Sequence, residues 1–240
     1  FRDKGLSIDF ICRDHVGNIN KIFKKNGFNF YQLRKKPLMS YESYSNKTEY
    51  ESWLGAPLYE DAEDTNKILL RKKYVLIVID HYGINIDWEL KIRQNVGKIM
   101  VIDDLANRKH HCDFLLDQNF YRDSKTRYNH LLPLNTIKFL GPEYCILRDE
   151  FIKNKALKST YKTSHSIQRI IIYFGASDIG NVTRKTLLAL GQLSSYKFQI
   201  DLIIGSQNKN KYSLYPLTKQ FSNIKIHPHL NNISKILKNS

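Results

Sequence analysis

Short runs of β-branched and aromatic residues recur along the chain, each closed by turn-forming residues, and amphipathic stretches fill the gaps between them. The pattern predicts strands over 8–12, 28–33, 74–80, 98–103 and 114–117, and helices over 18–25, 60–73 and 87–95. Strands that alternate with helices imply a parallel sheet. A polar, basic stretch over 155–166 lacks apolar periodicity and reads as a linker. It separates a first lobe, 1–154, from the start of a second, 167–240. There the most apolar strand, 168–174, runs into Gly175 and a helix over 182–193. A strand over 199–204 ending at Gly205, a second helix and a short strand over 224–227 follow. The expected class is α/β with two parallel lobes, and function belongs at the C-terminal strand ends, where such sheets bind ligands.

The 240 residues, 42% apolar and 25% charged, suit a globular chain with one or two cores. No apolar run is long enough to span a membrane and no leader is visible, so cytoplasm is the expected compartment. Cys12, Cys112 and Cys145 are widely spaced without a CxxC pair, and read as reduced thiols. A net charge of +15 invites a nucleic-acid reading. The basic residues, however, are spread along the chain, and groups such as Arg34-Lys35-Lys36 and Arg71-Lys72-Lys73 sit at element ends, where solvated charge is usual. No nucleic-acid partner is expected. The chain opens at Phe1 without a Met and at once reads as a strand, and it closes at Ser240 directly after a helical pattern, so both ends read as cut and the second lobe as incomplete.

Chemistry concentrates at the predicted strand ends. Asp80-His81-Tyr82-Gly83 closes the 74–80 run with a carboxylate, an imidazole and a phenol, which suit holding sugar hydroxyls and relaying protons; a capping turn is the competing reading. Asp103-Asp104 is a carboxylate pair able to share a proton or bind a metal, or equally an N-cap and its neighbour. His110-His111-Cys112-Asp113 resembles a metal cluster only superficially, because adjacent extended residues point to opposite sides; no metal is expected. The turn Gly175-Ala176-Ser177-Asp178, leading into a helix, offers a phosphate cradle of backbone amides, or simply a tight strand-to-helix turn. Arg148, after the Gly141-Pro142 turn, is placed to grip a phosphate or to bridge the lobes. Asp61, Glu63 and Asp64 after Trp53-Leu54-Gly55 read as an acidic helix start and no more.

Taken together, several stretches resemble the UDP-2,4-diacetamido-2,4,6-trideoxy-β-L-altropyranose hydrolase family of pseudaminic acid biosynthesis. They are 10–13, Trp53-Leu54-Gly55 with 60–65, 80–83 with Trp88-Glu89, 102–108, 110–113, 116–119, 140–142 with Leu147-Arg148, and 174–178. The resemblance implies a glycosyltransferase-B-like fold of two Rossmann-like lobes, hydrolysis of a UDP-sugar by water at the anomeric carbon, and neither cofactor nor metal. It places Tyr82 in the active site, with His81 and Asp103 as neighbours, and Arg148 with Gly175, Ala176, Ser177 and Asp178 at the cleft and phosphates. It also implies a general-base histidine in a Gly-x-Gly-His segment that would precede Phe1, and a later glycine-rich turn and glutamate that would follow Ser240. On that reading the chain is expected to be an inactive fragment. A glycosyltransferase of the same fold and a non-catalytic nucleotide-sugar binder are the alternatives.

Overall fold

A computed structural model of the chain describes residues 4–15, 18, 20–37, 50–155, 167–193, 198–228 and 233–237. The linker expected over 155–166 falls, but for Lys155, outside the described residues, as do 1–3 and 238–240. The chain divides into two units, Phe1–Ile146 and Leu147–Ser240. Every strand pairing among the described residues is parallel, and helices alternate with strands, as an α/β chain of Rossmann-like character requires.

The first unit runs β1 (Asp9–Arg13), α1 (Asn20–Lys25), β2 (Asn29–Leu33), α2 (Leu58–Leu69), β3 (Tyr74–Ile79), α3 (Ile86–Ile92), β4 (Val96–Ile102), β5 (Phe114–Asp117) and β6 (Ile137–Leu140). β1 and β2 form one pair, and β3-β4-β5-β6 form a four-stranded sheet in sequence order. The two are tied near the N-terminal ends of β1 and β3, where Asp9 accepts the Tyr74 hydroxyl at 2.7 Å and pairs with Lys72 at 2.8 Å. Ile79, Ile99, Val101 and Leu115 of the sheet pack with Ala62 and Leu69 of α2 and Trp88 and Ile92 of α3. Ile92, Ile99 and Leu115 are fully buried, so truncating any of them to Ala costs about 2–5 kcal/mol.

Local chemistry sets the helix ends. α3 starts where the Asn85 side chain accepts the Asp87 amide at 3.0 Å, with Asp87 and Glu89 in its first turn. α2 begins after Pro57 and stops at Leu69, four residues short of the predicted 73, because Arg71 to Lys73 already lead into β3. The hydrophobic pattern misses β6. Ile137 and Lys138 are exposed, so this short edge strand shows no apolar alternation; its signal is the Gly141-Pro142 turn that ends it.

The second unit runs α4 (Asp149–Lys155), β7 (Arg169–Ile172), α5 (Val182–Gly191), β8 (Gln199–Ile204), α6 (Lys211–Thr218), β9 (Ile224–Pro228) and α7 (Ser234–Leu237). Its sheet is ordered β7-β8-β9. Ile172, Ile200, Leu202 and Ile204 meet Leu187 of α5 and Leu214 of α6 in a separate core. β7 is shorter than the predicted 168–174, and Tyr173 and Phe174 beyond it are partly exposed. On the sheet's other side, buried Asp201 of β8 joins Arg169 of β7 at 2.5 Å and His227 of β9 at 2.6 Å, which locks three strands together.

Candidate active site at the strand ends of the first unit

The C-terminal ends of β1, β3, β4 and β5 carry a dense polar network. At the end of β1, buried Arg13 donates to Asp61 of α2 from Nε at 2.8 Å and approaches Asp64 at 3.3 Å. Asp61 is buried and also accepts the Trp88 indole N–H at 2.9 Å. The acidic start of α2 is therefore more than a match to the helix dipole, as sequence alone reads it. Asp61 cross-links β1, α2 and α3, and Lys36 pairs with Glu60 at 3.0 Å and Asp64 at 2.8 Å.

Tyr82, three residues beyond β3, donates its hydroxyl to Asp104 at 2.9 Å. That hydrogen bond, with partial burial and the nearby carboxylates, pushes the phenol up to about 12, so Tyr82 stays protonated at neutral pH. The second Asp104 oxygen accepts the Asn119 side-chain amide at 2.8 Å. The Asp104 backbone carbonyl accepts from Arg127 at 2.5 Å and from the Tyr121 hydroxyl at 3.2 Å. Arg127 in turn lies 3.6 Å over the Tyr121 ring. Tyr82 and Asp104 thus form a fixed phenol–carboxylate pair at the strand ends.

Asp103 does different work. It is 2% exposed, pairs with buried Arg108 at 2.7 Å and caps the following turn through the Ala106 amide at 3.0 Å. The Tyr128 hydroxyl lies 2.8 Å from the Asp103 carbonyl, 3.2 Å from its carboxylate and 3.0 Å from the carboxylate of Asp117 at the end of β5. One phenolic proton serves three acceptors, and burial between two carboxylates raises the Tyr128 hydroxyl far above the ordinary phenol range. Asp103 is thereby held in the support beneath the site, and its neighbour Asp104 faces Tyr82. In the sequence the pair is visible, and the family resemblance points to Asp103. The signal that distinguishes them is Arg108, an i+5 partner for only one of the two.

His81 is turned inward. Its Nδ1 accepts the Gly83 amide at 3.0 Å. Burial lowers its pKa below the ordinary imidazole value. Through the Gly83 amide His81 fixes the loop around Tyr82. Gly83 is required beside it: a Cβ there would stand 2.7 Å from the Tyr50 carbonyl oxygen. Asp80 is exposed.

The remaining candidates of this unit are structural. His110 and Glu89, both buried, meet at 2.6 Å, and Glu89 also accepts the His111 amide. Burial pushes the Cys112 thiol up to about 12. Asp113 binds Arg93 at 2.5 Å, Lys98 at 2.7 Å and the Ile99 amide at 2.9 Å.

In the second unit, Gly175 takes φ +78 and Asp178 φ +42. The Asp178 carboxylate, 5% exposed, accepts the Val182 amide at 2.8 Å and the Thr183 amide at 3.1 Å. The first amides of α5, which sequence reasoning leaves for an anion, are therefore taken by the protein's own carboxylate. The turn rests on Gly205, whose added Cβ would lie 2.2 Å from the Ala176 carbonyl oxygen, and the Gln207 amide donates to that same oxygen at 3.0 Å. Arg148, with its side chain 58% exposed, pairs with Glu150 at 2.5 Å and lies 5.4 Å from the centre of the Phe151 ring.

No family model matches the chain. It is 30% identical over 189 residues to the UDP-2,4-diacetamido-2,4,6-trideoxy-β-L-altropyranose hydrolase of Campylobacter jejuni, a match covering 77% of this chain and 65% of that protein. It is 29% identical over 185 residues to an uncharacterized protein of Methanocaldococcus jannaschii, covering 74% of this chain and 38% of the relative. The chain thus matches just under two thirds of the length of the first relative and well under half of the second. Among the described residues no helix is long and apolar enough to cross a membrane.

Proposed function

We propose that the protein carrying this chain belongs with the UDP-sugar hydrolases and cleaves a UDP-linked 2,4-diacetamido-2,4,6-trideoxy sugar to free sugar and UDP, as a step toward pseudaminic acid. In that reaction a water oxygen bonds to the anomeric carbon. The bond from that carbon to the diphosphate oxygen breaks, its electron pair leaves with UDP, and the proton lost by the water passes to solvent. The observation that carries the reading is the Tyr82–Asp104 pair at the C-terminal ends of β3 and β4, in a chain 30% identical to a hydrolase of that name.

The chain's own residues take the following parts. Asp104, oriented by Asn119 and Tyr82, accepts hydrogen bonds from the sugar, and Tyr82 contributes its phenolic oxygen beside the reacting carbon. His81 and Asp103 are positioning residues, one fixing the Tyr82 loop and the other fixing the Asp104 backbone from below. In the second unit the backbone of Gly175, Ala176 and Ser177 is proposed for the diphosphate. Asp178 shapes that turn without touching an anion, and Arg148 exchanges Glu150 for a phosphate oxygen.

The test is UDP release from the UDP-linked sugar, with this chain and with the full natural protein that carries it. Release that needs no sugar acceptor, with oxygen from labelled water found in the freed sugar, supports hydrolysis. Product that appears only with an acceptor supports a transferase, and saturable binding without turnover by the folded full protein supports a binder.

A further inference from the structure

Beside Tyr82 lies a second feature that the pairing with Asp104 does not use. Trp53, in the 3-10 turn Glu51–Leu54, is 57% exposed, although tryptophan is ordinarily among the more buried side chains. Its ring stands 4.9 Å from Tyr50 and 6.3 Å from Tyr82, and Tyr50 stands 5.4 Å from Tyr82. The three rings, inclined to one another by 50–74°, form a stepped aromatic shelf. Its backbone is anchored at Tyr50, whose carbonyl accepts the Trp53 amide at 3.0 Å and lies against Gly83. Gly55, at φ +74, closes the turn where an added Cβ would stand 2.6 Å from the His15 ring. The ring contacts with Tyr50 and Tyr82 restrict the indole before any ligand arrives, which favours a bound partner.

We propose that Trp53, backed by Tyr50 and Tyr82, is the specificity surface that receives the apolar side of the acetamido-bearing sugar ring, whose polar groups turn toward Asp104. This assignment rests on the UDP-sugar reading above. Carbohydrates present C–H faces and polar edges, so a site for them needs an aromatic face next to hydrogen-bond acceptors. Tyr82 belongs to both: its ring is part of the shelf and its hydroxyl is bonded to Asp104. A ring with a 6-deoxy methyl and two acetamido methyls is more apolar than an ordinary hexose. That raises the return from aromatic contact over hydroxyl recognition alone.

The chain contains two tryptophans, Trp53 and Trp88. Trp88 is 3% exposed and bonded to Asp61, so a ligand-dependent change in indole fluorescence reports on Trp53. The experiment titrates the chain with the free diacetamido-trideoxy sugar and, separately, with UDP, in wild type and Trp53→Phe. It also measures KM and kcat for the UDP-sugar in the full natural protein as wild type, Trp53→Phe and Trp53→Ala. The expected result is quenching by the free sugar, stronger than by UDP and abolished in Trp53→Phe. Trp53→Ala should raise KM by about three- to tenfold with a smaller change in kcat, and Trp53→Phe should recover most of the loss. A KM for Trp53→Ala within twofold of wild type, or quenching by UDP equal to that by the sugar, overturns the assignment even if UDP release is intact. Sugar-specific quenching in a protein that releases no UDP supports the shelf while sinking the hydrolase reading.

Discussion

Adjacent carboxylates at the end of β4 take different sides of the chain, and their partners divide the labour. Asp103 goes to Arg108 and Tyr128 in the interior, and Asp104 to Tyr82 and Asn119. Two variants separate these roles. Asp104→Asn should lower kcat by about 10²-fold with a melting temperature close to wild type, because it weakens an acceptor positioned at the site. Asp103→Asn should instead lower the melting temperature, since it leaves the Arg108 guanidinium buried without its counter-charge, a loss of about 3 kcal/mol or more. Thermal melts and steady-state kinetics on both variants check the division; equal kinetic loss without destabilisation in Asp103→Asn would contradict it. Sequence shows the pair but not its orientation, because either residue of an extended dipeptide can face inward. The choice depends on Arg108 and Tyr128, and Tyr128 comes from 25 residues away.

A second residue-scale prediction concerns Asp113. Lys98, the Ile99 amide and Arg93 outweigh the effect of burial and bring its carboxyl down to about 2, against an ordinary 3.8. A folded pKa below the unfolded one means that the unfolded chain binds more protons in this range. The stabilisation is therefore complete above about pH 4 and is lost as pH falls toward 2. Allowing for solvent screening, its worth is about 1 kcal/mol. Asp113→Asn should melt lower than wild type at pH 7, and the gap should close as pH falls toward 2, as read by circular dichroism.

At the scale of elements, the turns after β3, β7 and β8 decide whether side chains reach their places. Gly83→Ala puts a methyl 2.7 Å from the Tyr50 carbonyl oxygen, and Gly205→Ala puts one 2.2 Å from that of Ala176. Each should cost about 1–3 kcal/mol through overpacking, the first displacing the loop around Tyr82 and the second the Gly175 turn. Denaturant unfolding measures both, and a neutral Gly205→Ala would show that the turn after β7 is not held against β8. The strands with clear apolar runs, β3, β4, β5 and β8, were readable from the sequence to within two residues at either end, and β5 and β8 to the residue. β6 was not, because an exposed edge strand has no buried face to impose a pattern. The acidic start of α2 was read as dipole chemistry because its partner, Arg13, lies 48 residues upstream of Asp61. The phosphate reading of the Gly175 turn was altered by Asp178, whose carboxylate caps α5 from four residues before Val182.

At the scale of the whole molecule, the alternation of strands and helices gave the α/β class directly, and among the described residues the strands form three all-parallel sheets. Some of the basic side chains are paired, Lys36 with Asp64, Lys72 with Asp9 and Lys98 with Asp113, and the +15 charge is the excess of Lys and Arg beyond such pairs. The Tyr82–Asp104 pair, the aromatic shelf beside it and the 30% identity to a UDP-sugar hydrolase of Campylobacter jejuni lead to one central claim, hydrolysis of a UDP-linked diacetamido-trideoxy sugar. The most direct measurement is UDP release from that substrate by the full natural protein, in wild type and Asp104→Asn. The account predicts acceptor-independent release in wild type and a loss of about 10²-fold in the variant. A folded wild type that releases no UDP, or a variant as fast as wild type, would contradict it.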